Sequence, residues 1–253
     1  MTSAFAFIDR LARMRTRTLT RWALLAAVAV ASAGAVRAGP ANPPIAVPDT
    51  IAQRLQPCGA CHGKEGRATD HGFFPRIAGK PAGYLYNQLD NFRAGRRANS
   101  TMTYLVEQMS DDYLHEIAAY FASLDLPYPP PQTEGAPSDA LAQGEALVRR
   151  GAPERGIPAC VQCHGAAMTG VAPAVPGLLG LPRAYLVEQF GAWRTGQRKA
   201  LAPDCMARIA TSLSTSDIGV VATWLSSQPV TAPAAAAATL PQPLPMACGS
   251  VPQ

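Results

Sequence analysis

This sequence predicts an all-α fold built from two tandem copies of one small domain, and three observations carry the prediction. The chain aligns with itself, apolar positions recur at helical spacing inside each copy, and each copy holds one C-x-x-C-H motif, "CGACH" at 58–62 and "CVQCH" at 160–164. His62 pairs with His164 at an offset of 102. "PRIAGKPAGYLYNQLDNFRAG" (75–95) pairs with "PGLLGLPRAYLVEQFGAWRTG" (176–196) at an offset of 101, and "TMTYLVEQMSDDYLHEIAAYFAS" (101–123) with "CMARIATSLSTSDIGVVATWLSS" (205–227) at 104. A unit this long, repeated only twice, is a duplicated domain and not a solenoid.

Taken in order, residues 1–38 have the layout of a secretory signal peptide. Five arginines precede the apolar run 22–30, and small residues follow up to Ala38, after which cleavage is expected. The run is short for a membrane span of about 20 residues, which disfavours the alternative of an uncleaved anchor. The first domain is expected over 39–127, with a helix at about 49–56 ahead of its cysteine motif. Its next helix is marked by Tyr84, Leu85, Gln88, Leu89 and Phe92 and stops at Gly95. A further helix starts near Ser110, whose hydroxyl can cap it, and runs to about Leu124. "LPYPPPQTEGAPS" (126–138) reads as a stiff, solvated linker, with 128–137 assigned as linker proper. The second domain, 138–228, repeats the plan: a helix at 138–150, one through Tyr185, Leu186, Gln189, Phe190 and Trp193 to Gly196, and one from Thr215 through Leu225. Pro and Gly between each motif and the following helix read as loop. The Pro/Ala-rich tail 229–253 reads as irregular, with a turn of helix allowed at 234–238.

Charge excludes a class of partner. The formal charge of +5 comes from 22 basic and 17 acidic residues, of which six and one fall in 1–38, so the remainder balances to zero. No nucleic-acid partner is therefore expected. The halves 39–135 and 136–253 carry about −2 and +2, a modest dipole for docking.

C-x-x-C-H is the attachment signature of c-type haem. Cys58 and Cys61, and Cys160 and Cys163, are spaced for thioethers to two vinyl groups, and His62 and His164 then lie beneath the iron. Two covalent haem c groups would also supply core to units of 80–90 residues, which are otherwise short of it. A thioredoxin-like pair would need a βαβ setting, and zinc would need two more ligands per unit, whereas the only other histidines outside the motifs, His71 and His115, both lie in the first half.

The sixth iron position decides between a carrier and a catalyst. Met102 and Met206 fall 40 and 42 residues after their histidines and align with each other, so both are assigned as axial ligands. Met109 aligns with Leu213 and reads as core, and Met168 lies too close to His164 to reach the opposite face. Pro75 and Pro176 occupy aligned positions and offer carbonyl acceptors for the imidazole N–H, or simply rigid turns. Tyr84, Tyr185, Trp193, Arg96 and Arg198 are candidates for haem edges or propionates, with packing or a solvated surface as the plainer alternatives. Cys205 and Cys248 are left over; an exported chain favours a disulfide between them, two inert or intermolecular thiols being the alternative.

"CGACHGKEGR", "FPRIAGKPAGYLYNQLDNFRAGRR" and "STMTYLVEQMSDDYLHEIAAYFAS", with their second-half counterparts, resemble the cytochrome c4 family over about 48–228. The resemblance implies two class I cytochrome c domains related by a pseudo-twofold axis, with His–Met ligation at His62, Met102, His164 and Met206. It implies a periplasmic carrier passing electrons from the quinol–cytochrome c oxidoreductase towards a terminal haem-copper oxidase, compatible with peripheral membrane association. The tail after Gln228 and the Cys205/Cys248 pair depart from the pattern. They keep open a second role, as the cytochrome subunit of a periplasmic dehydrogenase. A peroxidase would need a displaceable ligand, against which two aligned methionines argue.

Overall fold

Both repeats fold into the same succession of five helices, as their shared spacing requires. A computed structural model describes residues 48–69, 73–231 and 234–251; segment 1–38 and His71 lie outside these. The first lobe holds α1 (Ile51–Arg54), α2 (Gly59–His62), α3 (Ala82–Arg93), α4 (Ser100–Val106) and α5 (Asp111–Ala122). The second holds α6 (Ser138–Arg150), α7 (Val161–His164), α8 (Arg183–Arg194), α9 (Cys205–Ser212) and α10 (Thr215–Ser227). One small antiparallel hairpin, β1 (Gly170–Val171) with β2 (Val175–Pro176), interrupts an otherwise all-α fold.

Caps set where these helices begin. Thr50, Asn99, Ser110 and Asp204 each accept a first-turn backbone N–H. At α10, Ser214 and Asp217 form a reciprocal capping box. The helices then bury their apolar stripes in two separate cores. Leu85, Phe92, Leu114, Ile117 and Phe121 centre the first, and Val148, Leu186, Phe190, Val221 and Leu225 the second. In the second lobe α6 lies against α10 so closely that a Cβ on Gly144 would meet the Val220 carbonyl oxygen at 2.3 Å.

Local structure adds to these expectations and in one place changes them. Met102 and Met206 sit in the first turns of short helices, α4 and α9, that the sequence did not predict. Residues 234–236 are not helical, and Ala237 forms a parallel bridge with Val171. The proline-rich connection is exposed over 129–135, as a solvated linker should be, and it is also anchored at both ends. Arg76, 2% exposed, donates to the carbonyls of Leu126 and Pro127 and lies over the Tyr128 ring. Further along, Gln132 N donates to Ser226 O, and its side chain accepts from Arg183 N.

Candidate functional site

Each C-x-x-C-H motif lies on a short helix, α2 or α7, that ends on its histidine because the next residue is a glycine in the left-handed region. Gly63 has φ 73° and Gly165 φ 82°, and a Cβ on Gly63 would fall 2.1 Å from the Ala68 carbonyl oxygen. The chain therefore turns sharply after the histidine and returns past the imidazole. In the first lobe His62 Nδ1 lies 3.0 Å from Pro75 O; in the second His164 Nδ1 lies 2.8 Å from Pro176 O. A carbonyl can only accept, so each Nδ1 carries the ring proton and each Nε2 keeps its lone pair. Burial is the leading cause that lowers both imidazole pKa values, which keeps the rings neutral. A neutral imidazole with Nδ1–H tied to a carbonyl is the metal-ligating form.

Three of the cysteines beside them, Cys58, Cys160 and Cys163, are held as thiols and not thiolates. Burial raises Cys58 and Cys163, and pushes Cys160 up to about 11. A disulfide-exchange pair needs the opposite shift. Among the described residues no three His, Cys, Asp or Glu side chains gather as a zinc site would require. His115 is stacked on Tyr86, with ring centroids 3.8 Å apart.

Met102 leans on the first core, as does Cys58. Met206 leans on the second, as does Cys160. The Asn99 side chain accepts from Met102 N at 2.9 Å, and Asp204 clamps the start of α9 by accepting from Ala200 N and Ala207 N. Met109 is part-buried against the first core, and Met168 is buried in the second.

The junction between lobes joins Arg198, a candidate from the sequence, to Arg97, which the sequence reading missed. Backbone bonds Ala98 N to Gln197 O and Lys199 N to Arg96 O, both 2.7 Å, frame an antiparallel bridge between Arg97 and Arg198. Arg97 donates to Gln88 and Gln189, and Arg198 donates to Gln189 and Gln88. Arg97 also reaches the Tyr185 hydroxyl at 3.2 Å. The two guanidiniums lie over Phe92 and Trp193 respectively. The offset of 101 pairs Arg97 with Arg198 and Gln88 with Gln189, a signal that was available. Arg96, the candidate chosen from sequence, binds Asp90 and Asn91 instead.

Among the described residues, Arg97 and Arg198 meet neutral acceptors at this junction and no carboxylate. Burial is the leading cause that lowers the Arg198 pKa, followed by Arg97. The buried Trp193 Nε1–H has no acceptor among the described residues. Two neutral imidazoles, two Cys-x-x-Cys pairs, and a buried and a part-buried guanidinium with an indole N–H, none meeting an anion among the described residues, form a donor set that fits an apolar macrocycle with carboxylate arms, as in haem c.

The tail crosses the second lobe. Ala237 and Ala235 bond to the Thr169–Ala172 segment, and Cys248 is joined to Cys205 by a disulfide. Gly249 N donates to Pro203 O, and Ser250 O accepts from Asn87 of the first lobe.

No protein-family model matches the chain. It is 36% identical over 205 residues to the thiosulfate dehydrogenase electron acceptor of Thiomonas intermedia, covering 80% of this chain and 91% of that one. It is 36% identical over 170 residues to cytochrome c4 of Pseudomonas aeruginosa, covering 66% and 82%. Among solved structures, reduced recombinant cytochrome c4 from Pseudomonas stutzeri superposes with a TM-score of 0.59 at 31% identity, covering 70% of this chain and 95% of that one.

Proposed function

We propose that this chain, which belongs to the cytochrome c4 family and carries two covalently bound haem c groups, passes electrons from a periplasmic donor towards a terminal haem-copper oxidase. It is an electron carrier and not a catalytic enzyme. In this reading Cys58 with Cys61, and Cys160 with Cys163, hold the haems as thioethers. His62 and His164 are the proximal ligands, and Met102 and Met206 complete the two sites. When bound, each haem supplies a one-electron ferric–ferrous couple. The chain's own residues set the terms of that couple. The Pro75 and Pro176 carbonyls hold each imidazole in one orientation and make its Nε2 more basic. The methionine sulfurs would exclude small substrates from the iron and raise the potential of the couple. Arg97, Arg198 and the Trp193 indole are the donors for carboxylate arms.

The observation that carries this reading is the pair of neutral histidines, each with Nδ1 tied to an aligned proline carbonyl and Nε2 free. Optical spectra of the oxidised protein test it. Two methionine–iron charge-transfer bands are expected; Met102→Ala and Met206→Ala should each abolish one, and bands unaltered in both variants would reject the ligand assignment. Periplasmic placement rests on the pattern of 1–38; no helix among the described residues is long and apolar enough to cross a membrane.

The similarity to a thiosulfate dehydrogenase electron acceptor favours a second reading, in which the donor is a periplasmic dehydrogenase that this chain serves as a dedicated cytochrome. Stable co-purification with a catalytic subunit from the native host would favour it over a freely diffusing carrier. The quinol–cytochrome c oxidoreductase is the donor in the first case.

A further inference from the structure

Lys80 is the single buried lysine among the described residues, 3% exposed. Its ammonium, which has three protons to donate, makes one hydrogen bond, 2.8 Å to Gly177 O. No carboxylate lies within ion-pair range of it among the described residues, whose ion pairs all involve arginine. Burial pushes its pKa down to about 7, with the neighbouring Arg76 as the second cause. A charge buried this way costs stability unless something else gains from it.

Its placement shows what gains. Lys80 belongs to the first repeat by sequence but bonds to the second lobe. Gly177 directly follows Pro176, the carbonyl that receives the His164 Nδ1–H. The ammonium therefore clamps the segment that orients the second histidine. The first site has no counterpart, because the aligned position in the second repeat is Leu181, which is buried and apolar. The corresponding proline segment around Pro75 is followed by Arg76, whose guanidinium is committed to the carbonyls of Ala78, Leu126 and Pro127. Both proline segments thus have a buried cation nearby, but Arg76 is committed within its own lobe, whereas Lys80 reaches the second segment across the lobe boundary.

We propose that Lys80 is a positioning residue for the second metal site, holding the Pro176–Gly177 segment and, by its charge, favouring the reduced state of that site over the first. The proposal rests on the histidine reading above. An added electron lowers the net charge of a site, and a fixed cation in a poorly solvated interior stabilises the more negative state. The test is spectroelectrochemical titration of the holoprotein at pH 6, where Lys80 is protonated, with the two potentials told apart in a Met206→His background that displaces the second. Lys80→Met removes the charge and the donor, and Lys80→Gln removes the charge while keeping a polar N–H. Both are expected to reduce the equilibrium constant for reduction at the second site by about tenfold, which is ~59 mV for one electron, while the first potential stays put. Equal movement of both potentials, movement of neither, or a Lys80→Gln protein that titrates like the parent would overturn the proposal. Failure of the ligand reading is seen separately, in the charge-transfer bands of the Met102→Ala and Met206→Ala proteins.

Discussion

Replacing both Cys205 and Cys248 by Ser should weaken the second lobe, and the size of the effect follows from the ring that the disulfide closes. The two cysteines are 43 residues apart in sequence. Loop-closure entropy for a ring of that length amounts to about 4 kcal/mol. Part of the constraint survives the substitution, because the tail keeps its hydrogen bonds to Gly170, Ala172, Pro203 and Asn87. A loss of about 2–4 kcal/mol is therefore expected, equivalent in a chain of this size to a fall in Tm of roughly 5–15 °C. Calorimetry of the holoprotein, with guanidinium titration followed by Soret absorbance, measures it. The loss should be confined to the second haem's transition, since Cys205 directly precedes Met206. A double variant within about 0.5 kcal/mol of the parent would refute the loop-closure argument, showing that the tail is held by its other contacts alone.

Other substitutions test the packing and the junction. Gly144→Ala places a methyl against Val220 O and within 2.6 Å of Trp224 Cβ, so α6 and α10 must separate. A cost of about 1–3 kcal/mol is expected in the same unfolding titration. Gln189→Ala removes the oxygen shared by Arg97 and Arg198; leaving buried guanidinium N–H groups unpaired should cost about 1–3 kcal/mol and increase hydrogen exchange at Ala98 and Lys199. Asp217→Ala removes half of the capping box and the partner of Arg155, for about 1–2 kcal/mol at neutral pH. The Arg155 hydrogen bond is the leading cause that lowers the Asp217 carboxyl to about 2 from an ordinary 3.8. A depressed carboxyl stabilises the fold when ionised, so this contribution is complete above the ordinary range and is lost as pH falls through about 2. The parent and Asp217→Ala stabilities should accordingly converge in acid.

Much of this was legible because the residues concerned act locally. Helix α5 begins where Ser110 predicts, and α8 follows the Tyr185, Leu186, Gln189, Phe190 and Trp193 stripe. The prolines at 75 and 176 were found by the repeat offset, and their carbonyls lie within hydrogen-bond range of the imidazoles. The methionine helices escaped notice because α4 and α9 are only 7 and 8 residues long, too short for periodicity to register. Their caps, Asn99 and Asp204, are ordinary loop residues until a helix follows them. Lys80 lies in a stretch of Gly and Pro, where a lysine reads as solvated; its one hydrogen bond is to the opposing lobe, at Gly177. The tail's course likewise depends on contacts more than 60 residues away in sequence, from Thr169 to Ala235 and from Asn87 to Ser250.

The paired arginines and glutamines at the lobe junction carry one more consequence. Arg97 meets Gln189 as Arg198 meets Gln88, and Ala98 meets Gln197 as Lys199 meets Arg96. Contacts that exchange in this way are isologous, the pattern of a symmetric dimer, here contained within a single polypeptide. The connection through Leu126 to Pro137 then acts as a tether that fixes the effective concentration of one half for the other. Tethering also lifts the demand for identity that a true homodimer imposes. One half can acquire a lysine where the other keeps a leucine, or end in a disulfide-bonded tail that the other lacks, and the two redox sites are free to become unequal while the surface that joins them stays symmetric.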